Sequence, residues 1–230
     1  MNKIDTPYKQ IEFNTLTETS ISLSKLIDDK LYGPVYTRLV KKYTMQFVAK
    51  KLGEEPPEGS DEWDWSRIKE YLMKNLDRYP YIFNALLYAM AKTEIVLQGK
   101  TGIGNRVSLN EMAKSMNKQL GNTQQSVSSN LASVFKQTVN KLVAFKVFPS
   151  NASYSVEDEN TIKFTVDKCA FKDVCEAFRK EKITRHGEKD ICSIGSMIST
   201  YISLDFSPAN DYMVENFANP HCNVKFIKTE

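Results

Sequence analysis

Apolar residues recur at helical spacing soon after the start of the chain. Between Gly33 and Gly53 they occupy one side of a 3.6-residue repeat, which predicts a helix. Pro34 suits the first turn of that helix, and a glycine commonly ends one. The predicted buried stripe consists of Val35, Leu39, Tyr43, Phe47 and Val48.

The rest of the first hundred residues continues the helical pattern. Residues 20–32 carry an apolar helical repeat, whereas the composition of residues 54–60, EEPPEGS, predicts a loop. Asp64 precedes the next apolar repeat, so we expect it to cap a helix over residues 65–76. Residues 81–97 are rich in large apolar side chains and predict the most buried helix of this half.

Beyond residue 100, segments of helical period alternate with segments of period two. The predicted helices are 108–116, capped by Ser108, then 124–142, 170–180 and 191–204. The predicted strands are 143–148, 161–166, 211–217 and 223–228, with the turn-rich residues 149–160 joining the first two.

This order of elements predicts an α+β protein, in which a helical N-terminal half is followed by a mixed α/β ligand-binding domain with an antiparallel sheet. We expect a helical region over residues 1–100 and an α+β domain over residues 101–230. The second domain contains a winged-helix-like segment, 108–166, and a cysteine-bearing part, 161–230.

The composition is that of an ordinary globular protein. Of 230 residues, 41% are hydrophobic and 26% are charged, so the chain needs no covalent staples to build a core. The N-terminal residues contain no apolar signal-peptide core, and no apolar run is long enough to span a bilayer. We therefore expect a cytoplasmic protein without membrane contact, whose thiols are reduced.

Basic residues are concentrated in the middle of the chain. Residues 99–148 contain seven Lys or Arg and a single acid, Glu111, which gives this stretch a charge of +6 within a chain of net charge +3. Such a patch favours an anionic partner such as DNA, although a solvated basic surface would have the same composition.

The same stretch has the element order of a DNA-binding module. A short helix, the turn at Gly121, a polar-tipped helix and a two-stranded ribbon follow one another, and the sequence QQSVSSNL resembles the winged helix-turn-helix of small regulators. The resemblance implies that the start of the second helix reads base edges while lysines contact phosphates. The candidate nucleic-acid-binding residues are Lys114, Lys118, Thr123, Gln124, Gln125 and Ser128.

The side chains best suited to metal binding or nucleophilic chemistry are all near the C-terminus. Residues 169–230 contain all four cysteines and both histidines. Cys169 follows a predicted strand, Cys192 opens a predicted helix with Gly195 soon after, and Cys222 starts the last strand. This ending resembles the four-vinyl-reductase-like and the L-2-amino-thiazoline-4-carboxylate hydrolase-like domains. The resemblance implies a compact α+β domain that encloses a small ligand, with Glu215 near a glutamate of the former group.

Three uses of these residues remain open. Cys169, Cys192, Cys222 and either His221 or Cys175 have the chemistry of a tetrahedral zinc site, closed if all four ligate and open to catalysis if only three do.

In the second use, the Cys192 thiolate acts as a nucleophile with a pKa lowered by the helix N-terminus, His186 or His221 as base and Asp205 or Asp190 as orienting group. In the third, the cysteines are plain core residues.

The sequence thus supports three functional hypotheses. The first is a binding protein that senses a small molecule or a metal ion and regulates transcription through DNA. The second is a hydrolase of a small cyclic or amide substrate, acting on a non-peptide C–N bond through Cys192. The third is a structural or assembly protein that forms a homodimer and has buried cysteines.

Overall fold

The fold is described from a computed structural model. It describes residues 2–4, 22, 32–99, 130–144, 152–167, 169–185, 188–205, 210–217 and 221–229. The chain divides into two compact units. We call them the helical unit, which contains residues 32–99 and 176–185, and the sheet unit, which contains residues 130–175 and the described residues from 189 onward together with strand 2–4.

After one short strand, the described elements are first helices and then a mixture of helices and strands. The helices are α1 (Pro34–Leu52), α2 (Trp65–Lys74), α3 (Phe83–Gln98), α4 (Leu131–Ala144), α5 (Lys172–Lys180) and α6 (Ser193–Asp205). The strands are β1 (Asn2–Ile4), β2 (Ala152–Asp158), β3 (Thr161–Val166), β4 (Thr184–Arg185), β5 (Lys189–Asp190), β6 (Asn210–Asn216) and β7 (Cys222–Lys228).

In the helical unit, α1 packs against α3. Tyr36 and Val40 of α1 form a core cluster with Ala89 and Met90 of α3. Helix α1 begins at Pro34 and ends at Gly53, whose φ of 72° is the left-handed conformation that glycine adopts without strain. The predicted stripe is displaced at its start, because Val35 is 52% exposed while its neighbour Tyr36 is fully buried.

The two other helices of this unit match their sequence signals. Asp64 caps α2 by accepting a hydrogen bond from the backbone N–H of Arg67 at 2.8 Å. Helix α3 buries ten of its 16 residues, compared with seven of 19 in α1, and is therefore the most buried of the three, as predicted. Residues 54–60 form the expected loop.

The sheet unit contains a five-stranded antiparallel sheet with the strand order β1-β2-β3-β7-β6. Side chains alternate between its two faces. Phe164 pairs with Val224 and Ile162 with Phe226, and all four are fully buried. The opposite face carries charges, because Lys163 lies 3.6 Å from Glu215 and Lys225 lies 2.7 Å from Glu157.

Helices α4 and α6 pack against the buried face. Phe135 of α4 is fully buried, and its ring contacts those of Tyr154, Phe164 and Phe226 at centroid distances of 5.1–5.7 Å. One face covered by helices and one face polar is a common state for an antiparallel sheet. The buried face ends at Cys222, which pairs with Val166 at the end of β3.

Three sequence predictions near this sheet are wrong. The helix predicted over 124–142 does not run through Asn130, whose side chain instead caps α4 by accepting from the N–H groups of Ala132 and Ser133. Residues 143 and 144 belong to α4 and not to a strand. Residues 152–158, expected in a turn, form β2, because Ala152 and Tyr154 alternate onto the buried face.

The α+β class, with helices first and an antiparallel sheet later, is confirmed. The predicted domain boundary near residue 100 stays a prediction, since residues 100–129 lie outside the described part. The same holds for the helices predicted over 20–32 and 108–116, of which only Ser22 and Tyr32 are described. Among the described residues, none of the helices combines the length and the apolar character that a bilayer crossing requires.

Candidate functional site: a cluster of four thiols

Four cysteines converge at one end of the buried face of the sheet. Cys222 opens β7 and pairs with Val166, the last residue of β3. Cys169 follows β3 by three residues, and Cys175 is the fourth residue of α5. Cys192 directly precedes α6. The four sulfur atoms lie close enough for electrostatic interaction between Cys169 and each of the other three. We call this set the thiol cluster.

Two helices begin inside the thiol cluster, and their backbone N–H groups donate to sulfur. The N–H of Gly195 donates to Cys192 Sγ at 3.3 Å, and the N–H of Ile194 donates to the same atom. The N–H of Phe171 donates in the same way to Cys169 Sγ. Cys192 thus has the role of an N-cap, in which a side-chain acceptor satisfies the free N–H groups of the first turn.

Tyr212 of β6 holds the start of α6 in place. Its hydroxyl oxygen accepts from the N–H of Cys192 at 3.3 Å and shares a hydrogen bond with Ser196 Oγ at 2.7 Å. A Cβ atom on Gly195 would approach Tyr212 Cδ2 to 2.7 Å, which is closer than van der Waals contact permits. Glycine is therefore required three residues after Cys192.

Burial is the main cause of the ionisation behaviour of the thiols. It raises the pKa of Cys192 well above the usual thiol value, and the neighbouring thiols Cys175 and Cys222 raise it further. The N–H donors oppose this rise without overcoming it. The pKa of Cys169 is raised for the same reason. Both thiols are consequently neutral near pH 7, and a neutral thiol is a poor nucleophile.

His221 points away from the thiol cluster. It precedes Cys222, and alternation along the strand sends neighbouring side chains to opposite faces. Its ring is 47% exposed and its Nδ1 contacts Asp167 Oδ1, which follows β3. This contact is an ion pair only when the imidazole is protonated.

The described residues contain no group of three or more Cys, His, Asp or Glu side chains arranged to hold a metal ion as they stand. The donor chemistry of the thiol cluster fits zinc, but the sulfur atoms do not close around an ion. A metal site at the thiol cluster would therefore require its side chains to rearrange.

One member of the proposed catalytic set, Asp205, is distant from Cys192 along α6. Helix α6 runs from Ser193 to Asp205, so Asp205 lies at the opposite end, about 18 Å away at 1.5 Å per residue. That separation argues against Asp205 as an orienting group for a base at Cys192. His186 lies outside the described residues.

The candidate DNA-binding residues cannot be placed. Residues 114, 118, 123–125 and 128 lie outside the described part of the chain, so DNA binding stays a prediction. The hairpin of β2 and β3 differs from the ribbon of a winged helix, which projects from its domain. Here β2 also pairs with β1, and β3 also pairs with β7, so the hairpin is part of a continuous sheet.

Two further observations concern ligands. Glu215 is paired with Lys163 on the charged face of the sheet and does not belong to the thiol cluster. In the helical unit, a surface depression of about 330 Å³ is lined by Pro34, Thr37, Arg38, Lys41, Asp61 and Glu62. Arg38 within it is paired with Asp61 at 3.2 Å, so this depression is charged and internally neutralised.

Sequence reasoning did not identify the two residues that build the start of α6. Tyr212 carries the hydroxyl that holds Cys192, and Ser196 shares it. The only sequence signal was Gly195, three residues after Cys192, where a helix interior normally excludes glycine.

Comparisons with known protein families, with curated proteins and with solved structures found no match to this chain.

Proposed function

We propose that this protein binds a soft metal ion, zinc in the first instance, at the thiol cluster and serves as a metal-responsive binding protein. The observation that carries the proposal is the convergence of four thiols at two helix N-termini with backbone N–H groups directed at sulfur. Hydrogen bonds of this kind are strongest when the acceptor is charged, so they favour thiolates over thiols.

The ionisation of the cluster supports the same proposal. Burying a thiolate without a cation is costly, which is why burial raises the pKa of Cys169 and Cys192. A bound cation reverses this balance, because a coordinating thiol is deprotonated by the metal. Metal binding would therefore release protons and draw the sulfur atoms together. A protein that changes charge and side-chain arrangement at one site on binding is suited to sensing.

Hydrolysis through Cys192 is less well supported. A thiol nucleophile needs a lowered pKa and a base within hydrogen-bond reach. Burial raises the pKa of Cys192, and the contacts described for its sulfur are backbone N–H groups. The DNA-binding part of the first hypothesis and the cytoplasmic location remain proposals that depend on residues 100–129 and on experiment.

Metal analysis of the purified protein tests the proposal. We expect about one zinc ion per chain after purification in zinc-containing buffer, and loss of that ion in Cys192→Ser. Thr200→Ala, on the same helix α6 but two turns further along, should retain it and serves as the control.

A protein without zinc, with zinc failing to bind even at micromolar concentration, would refute metal binding. In that case the thiols are core residues. Rapid alkylation of Cys192 by iodoacetamide well below pH 8 would instead revive the catalytic alternative.

A further inference from the structure

The sequence leaves two residues as candidates for the fourth ligand of a metal site, and the structure separates them. His221 lies one position before Cys222, so strand alternation directs its ring to the face opposite the buried thiols. The ring is 47% exposed and contacts Asp167. Rotation of the ring alone does not bring it across the sheet.

Cys175 lies on the correct side. It is 4% exposed, and its Sγ is 3.9 Å from Oγ of Ser193, the residue that directly follows Cys192. Its backbone N–H donates to the carbonyl oxygen of Phe171 at 3.1 Å, which fixes it in the first turn of α5. Cys175 therefore lies in the first turn of α5, with its sulfur beside the first residue of α6. Its electrostatic influence on the thiols of Cys169 and Cys192 agrees with this position.

On the basis of the proposed function, we infer that Cys175, and not His221, completes the metal site together with Cys169, Cys192 and Cys222. The site is then a closed centre of four thiolates. Such a set selects soft cations such as zinc over magnesium or calcium, which prefer oxygen ligands.

A site closed by four protein ligands also limits the functions that the metal ion can have. Four protein ligands leave no coordination position for water or substrate, so the ion is structural or sensory and does not catalyse hydrolysis. Four thiolates around a divalent cation carry a net charge of −2. The starts of α5 and α6, with the N–H groups of Phe171, Ile194 and Gly195, supply positive partial charge to offset it.

The test uses the full chain, stripped of metal with a chelator under reducing conditions, and zinc ions as the probe. Zinc affinity is compared in the wild type, Cys175→Ser and His221→Ala. We expect Cys175→Ser to weaken zinc binding at least about 100-fold and His221→Ala to change it less than about threefold. In the wild type, zinc should protect Cys175 from iodoacetamide together with the other three cysteines, as counted by mass spectrometry.

A folding defect in Cys175→Ser is distinguished from ligand loss by a second variant and a second measurement. Cys175→Ala keeps the site apolar, and a cooperative unfolding transition without metal shows that the variant folds even if the lost sulfur lowers its midpoint. If zinc binds but His221→Ala abolishes binding while both Cys175 variants retain it, this inference is wrong and the proposed function stands. If the wild type does not bind zinc, both are wrong.

Discussion

In the helical unit, the partly buried carboxylate of Glu181 receives hydrogen bonds from Lys92 Nζ at 2.5 Å and from the Tyr88 hydroxyl at 2.6 Å. In the sheet unit, the thiol cluster lies among backbone donors, and three of its four cysteines are buried. Burial by itself raises the pKa of Glu181, but these two hydrogen bonds, together with the positive charges of Lys92 and Lys50, outweigh it and the pKa is lowered. For Cys169 and Cys192, burial prevails and the pKa is raised.

This difference bears on which of the two units would bind a cation. Glu181 is ionised and its charge is balanced by a cation of the same unit, so it needs nothing further. The thiols of Cys169 and Cys192 are neutral at pH 7, as an ordinary thiol is, and burial and the neighbouring thiols raise their pKa further. The backbone N–H groups that oppose this rise would stabilise a thiolate. The proposed metal site therefore lies in the sheet unit.

The largest expected effect comes from removing the centre of the sheet-unit core. Phe135→Ala deletes the ring that contacts three aromatic side chains of the sheet, and such a deletion costs about 3–5 kcal/mol of unfolding free energy. All four thiols lie in this unit, so their exposure in urea reports its unfolding.

Thiol titration across a urea series measures this effect, with Met213→Ala as the control. Met213 is 46% exposed, and its replacement should change the unfolding free energy by less than about 0.5 kcal/mol. Equal urea midpoints for Phe135→Ala and the wild type would show that the aromatic contacts do not hold the thiol-bearing unit together.

The second effect concerns the link between Tyr212 and the start of α6. In an unobstructed helix interior, Gly→Ala stabilises by up to about 1 kcal/mol. At Gly195 the new Cβ would overlap the Tyr212 ring, so we expect destabilisation of about 1–3 kcal/mol instead. The sign of the change in urea midpoint distinguishes the two expectations.

A double-mutant cycle sharpens this test. In a Tyr212→Leu background the ring is absent, and Gly195→Ala should become neutral or stabilising. If the alanine is equally harmful in both backgrounds, the glycine is required for another reason and the close approach is not its cause.

Local patterns predicted much of the fold because they depend on neighbours in the chain. Gly53, Asp64 and the alternation in 223–228 each act within a few residues, and each marks the boundary or strand that was predicted. The prediction of a turn over residues 149–160 was wrong for 152–158, because small polar side chains are typical of turns. Pairing of Tyr154 with Phe164 in the sheet outweighed that tendency.

The site was predictable only as a list of residue types. Concentration of cysteines near the C-terminus indicated where to look, but the convergence of Cys169, Cys192 and Cys222 depends on the register between β3 and β7, which no local pattern encodes. The choice between Cys175 and His221 needed both the strand face and the position of α5.

The smallest expected effect is pH-dependent and belongs to the helical unit. Tyr88→Phe removes the hydroxyl that donates to Glu181, a hydrogen bond to a partly exposed carboxylate worth about 1 kcal/mol. Because the pKa of Glu181 is lowered in the folded state, its stabilising contribution is present above the unfolded value of about 4.3 and is lost as the pH falls through the folded value.

The difference in unfolding free energy between Tyr88→Phe and the wild type should therefore be about 1 kcal/mol at pH 7 and shrink below about pH 4. Far-ultraviolet circular dichroism in urea at both pH values measures it. Tyr43→Phe, in the same unit, is the control, since the described contacts include no hydrogen bond from its hydroxyl. A difference that persists unchanged in acid would mean that Tyr88 stabilises by ring packing against Phe47 and Phe178. The Tyr88 hydrogen bond would then not contribute to the lowered pKa of Glu181, and the contrast between Glu181 and the thiols would depend on its lysine neighbours.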